Sequence, residues 1–536
     1  MPLWKEKVLK PFRRLSQKGS KNDKSKPTTS HASVEADGKA EETKISHSHA
    51  RSRSNSSASS NSSPSKARNK SSSKAESSQN DVQHIISRPR KPSQWTTIVG
   101  GAKDPVAKCG VVVQKDVFKT LLDLTEYDFS QVDKHARGIT KTTTVRDLSK
   151  RLTSRWKGKE IYQLRAIYTW ITENVSYDAN AFFSGKPSSH NADDVMKKGV
   201  AVCDGYAELF KALAEEAKLN VWKITGQAKG VGYKPGDNLD TSQVDHAWIG
   251  VCLDGEYLLV DPTWGAGTLN GRSFNRHFDP FYFLASPQQF IYSHFPEEEN
   301  EQYLDPPITS DLFVKLPFVK PAFFTSGLML IEYIGSEIKV ENDKFEMEVM
   351  RCIPDESKPL HAVLEWQGKA VNCLIQRISG KVGPDGETVY TIRCEMPSSG
   401  EGNLNLFVML EGNRGPMAAS FKVVNHGKGS RSPPYAQTYS VPFTFTISEP
   451  IYSKLAYNRR TKFELTIFDK DENELPEFDL FTPDKKTRKL QKISWCVADK
   501  STTYAIDTIL DIKGEWILVY TEGGNSVNFI AQYDVE

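Results

Sequence analysis

Residues 200–226 read VAVCDGYAELFKALAEEAKLNVWKITG, and residues 245–267 read DHAWIGVCLDGEYLLVDPTWGAG. In the first stretch Ala207, Phe210, Leu213, Ala214 and Ala217 recur at helical spacing, so a helix is expected over 204–218. The period then changes. VWKITGQA, VDHAWIGVCL and GEYLLVDP are strand-like, and the last two meet at Asp254-Gly255, a pair suited to a tight hairpin turn. Cys203 stands just ahead of the helix, His246 lies in the second strand pattern, and Asp261 ends the third. A helix followed by antiparallel strands is an α+β layout.

These three residue types make one chemical argument together. A free thiol, with a pKa of about 8.5, carries little nucleophilic thiolate at neutral pH. A helix N-terminus presents unpaired N–H groups and the positive dipole end to a sulfur at Cys203. An imidazolium at His246 would pair with the thiolate, and Asp261 would fix the imidazole tautomer and orientation. Backbone N–H groups near Cys203 would serve a tetrahedral oxyanion. Taken singly, each residue has a plainer explanation: a small buried cysteine, a satisfied core histidine, a turn aspartate before Pro262. Their order on helix, strand and strand, 43 and then 15 residues apart, favours the joint reading. Asp204 and Gly205 are expected to shape the turn into the helix. Trp248 and Trp264 suit either an acyl-binding slot or core packing. His277 and His294 lack partners at metal spacing and read as structural, and neither a metal nor a cofactor is expected.

Outward from this centre, 536 residues exceed one core and suggest two to four domains. Residues 1–90 hold 19 Lys and Arg against 8 Asp and Glu, whereas the remainder holds 51 against 59. Residues 1–95 are rich in Ser, Lys and Arg and poor in branched apolar residues, so a disordered basic tail is expected there. The tail lacks interleaved aromatics and any nucleic-acid fold signature, and no nucleic-acid partner is expected. Within 1–15, Leu3, Trp4, Val8 and Leu9 allow a short basic amphipathic turn ended by Pro11, and Ser16 follows two arginines as in a kinase site.

Order is expected from about 105. Val117, Leu121, Leu122 and Leu124 form a short helical set, Val145, Leu148 and Leu152 a second, and IYQLRAIYTWITENV (161–175) a buried helix closed by Tyr177-Asp178. Past 305, alternating runs such as Phe345/Met347/Val349, Leu404/Leu406/Val408, Phe463/Leu465/Ile467 and Trp516/Leu518/Tyr520 point to two β-sandwich, immunoglobulin-like modules. The expected divisions are a core at 105–305 and sandwiches at 306–425 and 436–536, parted by HGKGSRSPPY. The seven cysteines are widely spaced without CxxC, which argues against a disulfide framework or zinc ribbon and for a reducing compartment. The first residues lack a signal peptide's apolar run, no segment has the roughly 20 apolar residues of a membrane span, and a cytoplasmic protein is expected.

CDGYAELFKAL, DHAWIGV and LLVDPTWGAG resemble the segments around the nucleophile, histidine and aspartate of the papain/transglutaminase-like cysteine hydrolase core. YTWITENVSYD, GQAKGVGY, FYFLASPQQFIYSHFP and LDPP narrow the resemblance to the kyphoscoliosis peptidase and hillarin group. It implies Cys203 as nucleophile, His246 as proton shuttle and Asp261 as its orienting partner. It also implies a protein substrate and association with cytoskeletal proteins of the actin cross-linker or septin type. Peptide:N-glycanases of the same core carry a paired CxxC zinc site, which is missing. Calcium-dependent transglutaminases carry acidic calcium loops, and the run Glu297–Glu301 lacks the glycine and alternating ligands of such a loop. The chain is thus expected to be a cytoskeleton-associated cysteine peptidase. A cross-linking acyl transferase or a non-catalytic scaffold are the alternatives.

Overall fold

In the 145–153 segment, Thr144 accepts a hydrogen bond from the Asp147 amide at 3.2 Å, which caps a helix whose last turn carries Lys150 and Arg151. Such local rules recur through the computed structural model. It describes residues 122–536, except 186–187, 332–334, 353–358, 384–386, 411–412, 433, 440, 469, 471–474, 498–499 and 523–525. The basic tail, its amphipathic turn, the start of order near 105, and Val117 and Leu121 lie outside the described residues. At Leu124–Glu126 the chain forms a single 3₁₀ turn capped by Asp123, shorter than the helical set expected there.

The helices that follow are α1 (Ser130–Arg137), α2 (Val145–Thr153) and α3 (Glu160–Asn174). Ile161, Leu164, Ile167, Trp170 and Ile171 are buried as their spacing requires. So are Gln163, Arg165, Thr169 and Thr172, because neighbouring elements enclose α3 on nearly every side. Its polar atoms are therefore paired internally. Arg165 Nε and Nη2 donate to Asp133 Oδ1 and Oδ2 at 2.8 and 2.9 Å, Thr169 Oγ1 donates to Asp133 at 2.8 Å, and Trp170 Nε1 donates to the Ile139 carbonyl.

Tyr177 does not simply close α3. It lies in β1 (Ser176–Tyr177), which pairs in parallel with β2 (Val200–Ala201). Between them come α4 (Ala179–Ser184), capped by Asp178, and α5 (Ala192–Lys198), capped by Asn191 and ended at Gly199 with φ +68°. Helix α6 (Cys203–Glu216) starts directly after β2, so Cys203 is its first residue. A Cβ on Gly205 would fall 2.8 Å from the Ala201 Cβ, so glycine permits this close start.

The sheet beneath α6 consists of β3 (Val221–Ala228), β4 (His246–Leu253) and β5 (Glu256–Val260). A separate hairpin of β6 (Gly267–Asn270) and β7 (Ser273–Arg276) follows. Strand β8 (His294–Pro296) completes the main sheet in the antiparallel order β5-β4-β3-β8, after helix α7 (Pro287–Phe290). Asp254 and Gly255 both have positive φ, 52° and 88°, as the expected β4–β5 turn demands.

The remaining chain forms two sandwiches of matching topology. In the first, Leu328–Leu330, Lys344–Arg351, Thr388–Glu395 and Leu374–Val382 form one sheet. Glu337–Val340, Asn413–Asn425, Gly400–Leu410, Leu360–Trp366 and Lys369–Asn372 form the other. The second module repeats both orders, and in each a short strand pairs in parallel with the last long one. This is the immunoglobulin-like arrangement expected. All four alternating runs named above are buried. Cys373 and Cys394 are joined in one disulfide, Cα–Cα 4.8 Å, which wide spacing in sequence gave no reason to expect. Cys203, Cys252, Cys352 and Cys496 are not part of that disulfide.

Apolar packing crosses from the α+β core into the first sandwich. Phe281 stacks on Phe324, Phe295 on Phe313 of α8 (Ser310–Lys315), and Tyr292 meets Phe324 edge-on. Lys229, fully buried, donates to the Leu316 carbonyl at 2.8 Å. Between the sandwiches, Tyr452 Oη donates to Glu395 at 2.7 Å, and Lys344 Nζ, on the strand beside Glu395, donates to the same carboxylate at 2.9 Å.

The α1–α3 ion pair offers a direct test. Replacing Arg165 by Met leaves the partly buried Asp133 without its cation, and the core should lose about 3 kcal/mol. Urea denaturation followed by tryptophan fluorescence measures this, and a loss below about 1 kcal/mol would contradict it.

Candidate active site

Strand register brings the candidate residues together. His246 opens β4 opposite Gly226, His294 opens β8 opposite Ala228, and Val260 at the end of β5 faces Ile249. Because side chains alternate with period two, His246, Trp248, His294 and the residue after Val260 share one sheet face. Asp261 is that residue. Its Oδ2 lies 2.8 Å from His246 Nε2 and 3.1 Å from His294 Nε2. Its Oδ1 accepts from the Thr263 and Trp264 amides at 2.7 and 3.0 Å. All four acceptor positions of a fully buried carboxylate are thereby met.

Cys203 is partly exposed at the first turn of α6, and its side chain interacts with His246. Since Nε2 of His246 faces Asp261, Nδ1 is the ring nitrogen left for another partner. The Cys203 Sγ also approaches the Asp245 carbonyl at 3.9 Å. Asp245 is held in turn by the Ala228 amide at 2.9 Å and Gln227 Nε2 at 2.6 Å. The structure thus brings all three expected residues into one site.

Charge within the cluster is uneven. Burial opposes an ionised Asp261, yet His246 and the two imidazole hydrogen bonds hold it well below the usual carboxylate range. Burial likewise works against a protonated His246, but the Asp261 carboxylate outweighs it and lifts the imidazolium from 6.5 to about 10. Burial pushes His294 down from 6.5 to about 4, so it stays neutral. One ligand atom from each of His246, Asp261 and His294 falls within 4.8 Å of the others, a donor set that suits a cation. Both imidazole nitrogens already sit at hydrogen-bond distance from one oxygen, however, and the three form a buried hydrogen-bonded cluster.

Several expectations change. His294 is not an isolated structural histidine, because it shares the Asp261 oxygen. Its signal in sequence was only a histidine in an aromatic-rich run, FIYSHFP. Asp204 does not turn the chain into α6; it pairs with Lys223 Nζ at 2.8 Å and with His190. Asp245, quoted only as part of the histidine segment, anchors the strand entry beside Cys203. Trp248 is a core residue, 1% exposed, whereas Trp264 stays partly exposed with its ring 5.4 Å from His246. His277 is exposed, and Glu297–Asn300 are exposed as expected of a solvated run.

Residues 146–262 match the profile of the Transglutaminase-like superfamily. Kyphoscoliosis peptidase of Homo sapiens is 31% identical over 235 residues, 44% of this chain and 35% of that protein. Hillarin of Drosophila melanogaster is 32% identical over 216 residues, 38% and 26% of the respective lengths. Cytokinesis protein 3 of Schizosaccharomyces pombe is 25% identical over 226 residues, 40% and 24%. The chain matches about a third or less of the length of these relatives. It carries a transglutaminase-like domain followed by immunoglobulin-like sandwiches. Within that superfamily it is similar to the kyphoscoliosis peptidase and hillarin group. Among the described residues, no helix is long and apolar enough to cross a membrane.

The ionisation pattern predicts how stability depends on pH. The raised His246 contributes stability that is complete below pH 6.5 and is lost as pH rises toward about 10. Asp261→Asn removes the carboxylate responsible, so the variant should be less stable at neutral pH and its alkaline decline should flatten. Melting temperature against pH for both proteins checks this, and an unchanged alkaline slope would refute it.

Proposed function

We propose that this chain is a cysteine hydrolase of transglutaminase-like type acting on amide bonds of protein substrates in association with the cytoskeleton. The observation that carries the reading is the partly exposed Cys203 at the start of α6, with His246 beside it and the saturated Asp261 carboxylate behind. In this reading Cys203 Sγ attacks the substrate carbonyl to form a tetrahedral adduct. His246 then gives its proton to the leaving amine, and a thioester remains. Water activated by His246 cleaves the thioester and restores the thiol. Asp261 holds the imidazole with Nε2 toward itself and Nδ1 toward the sulfur. Resolution by an amine in place of water would make the same site a protein cross-linker, and the outcome depends on how well water is excluded.

The cytoskeletal part rests on relatives whose names denote cytokinesis proteins, and a second half made of immunoglobulin-like modules offers surface for partners. That half also supports a second reading, a scaffold in which the α+β core binds partners. Actin cross-linkers and septins are the partner types considered. Partner binding that survives Cys203→Ala, without any Cys203-dependent cleavage or cross-linking, would establish the scaffold.

The primary test is the pH dependence of Cys203 alkylation. Labelling at pH 6 should depend on His246, and His246→Ala should slow it by about 10². A rate that follows an ordinary thiol and is indifferent to His246 would remove the nucleophile assignment.

A further inference from the structure

We propose that His294 is a positioning residue of the Cys203 site, whose Nε2–H shares the Asp261 oxygen serving His246 and so sets how tightly His246 holds its proton. The proposal rests on the site chemistry proposed above and adds a fourth member to it. The geometry is specific. His246 and His294 approach the same atom, Asp261 Oδ2, at 2.8 and 3.1 Å, while Oδ1 is occupied by backbone donors. Whatever His294 donates is therefore taken from the oxygen that faces His246.

The surroundings select one state of the ring. His294 is 1% exposed and stacks on Phe290 at 3.8 Å between centroids, with Trp264 at 4.4 Å and Trp248 at 5.2 Å. Its Nδ1 lies 2.8 Å from Ser293 Oγ, which is also 3.4 Å from the Phe290 carbonyl; with Nε2–H committed to the carboxylate, a neutral ring takes the shorter hydroxyl bond as acceptor at Nδ1. The neutral Nε2–H tautomer satisfies both nitrogens. The ionisable groups around it are Asp261, His246 with its ring 5.3 Å away, Tyr282, and Glu301 in the same small cleft. The Asp261 charge also reaches the buried Tyr168, adding to the effect of burial on that phenol. A second positive ring would meet the His246 imidazolium, so His294 serves as a neutral donor, in keeping with the effect of burial on it.

A hydrogen bond to a carboxylate oxygen withdraws charge from it, and a neighbouring imidazolium is then bound less tightly. His294 thereby keeps the His246 proton available for transfer to a leaving amine, against the tendency of Asp261 alone to retain it. The residue lies beyond the segment 146–262 that matches the superfamily profile. It is carried by β8, whose next residue, Phe295, packs on Phe313 of α8. Packing toward the first sandwich therefore fixes a group that acts on Asp261.

The test uses the full chain and iodoacetate, an anion drawn to the sulfur by a protonated His246. Its rate with Cys203 should fall at high pH as His246 loses its proton, giving an alkaline limb. His294→Phe keeps the ring but lacks the donor, and should move this limb upward by about one pH unit. His294→Gln, which restores an N–H donor, should return it close to its original position. A limb left in place by His294→Phe, or moved alike by both variants, would overturn the proposal. If the unaltered protein shows no limb that depends on His246, the proposed site chemistry fails as well. Should His294→Phe not fold, side-chain nitrogen NMR of the unaltered protein decides. His294 should remain the neutral Nε2–H tautomer from about pH 6 to about pH 9, and a charged ring or the other tautomer there would refute the idea.

Discussion

A carboxylate removed from water is tolerated only when donors replace its hydration, and Asp261 has four. Two are amides of its own turn, at Thr263 and Trp264, and they lock the chain as it leaves β5. The other two are imidazoles from β4 and β8. The anion thus ties three separate pieces of backbone into one geometry, and loss of any donor would leave a lone pair unmet in a dry interior. The position of His246, and through it the relation to Cys203, depends on this single buried charge.

The rest of the core serves that constraint. Strand β3 lies between the two histidine-bearing strands, and its register sets both rings on one face. The same strand holds Asp245 through the Ala228 amide and the Gln227 side chain, at the point where the chain enters β4. Above the sheet, α6 can begin at Cys203 because β1 and β2 pair just before it and Gly205 adds no side chain to the contact. Helix α3 supports this layer from within, which explains why a charged Arg165 is buried there with a bidentate partner.

The first sandwich is joined to this core by packing as well as by chain connection. Aromatic contacts at Phe281, Tyr292 and Phe295 reach Phe313 and Phe324, and the buried Lys229 donates to a carbonyl at the end of α8. Between the two sandwiches, Tyr452 donates to Glu395, whose carboxylate is also held by its own cross-strand neighbour Lys344.

Much of this was legible in the residue order. Helical spacing located α2, α3 and α6 within a few residues, and alternation located β3, β4, β5 and the buried faces of both sandwiches, because each periodicity reports which side of an element meets the core. The change of period after Leu219 and the Asp254-Gly255 turn were enough to put Cys203 at the helix start, His246 in a strand and Asp261 at the end of the next, where the structure sets it one residue past β5. Contacts between distant segments left no such trace. The burial of α3 on nearly every side, the β1–β2 pairing, the Cys373–Cys394 bond, the Asp204–Lys223 pair and the convergence of His294 on Asp261 all join residues whose spacing carries no period. Sequence determined which elements form and which faces they bury, since those follow from local pattern and hydrophobicity. Only the tertiary structure decided that a second imidazole shares the buried carboxylate, because a side chain's partner depends on strand register and packing across the whole domain.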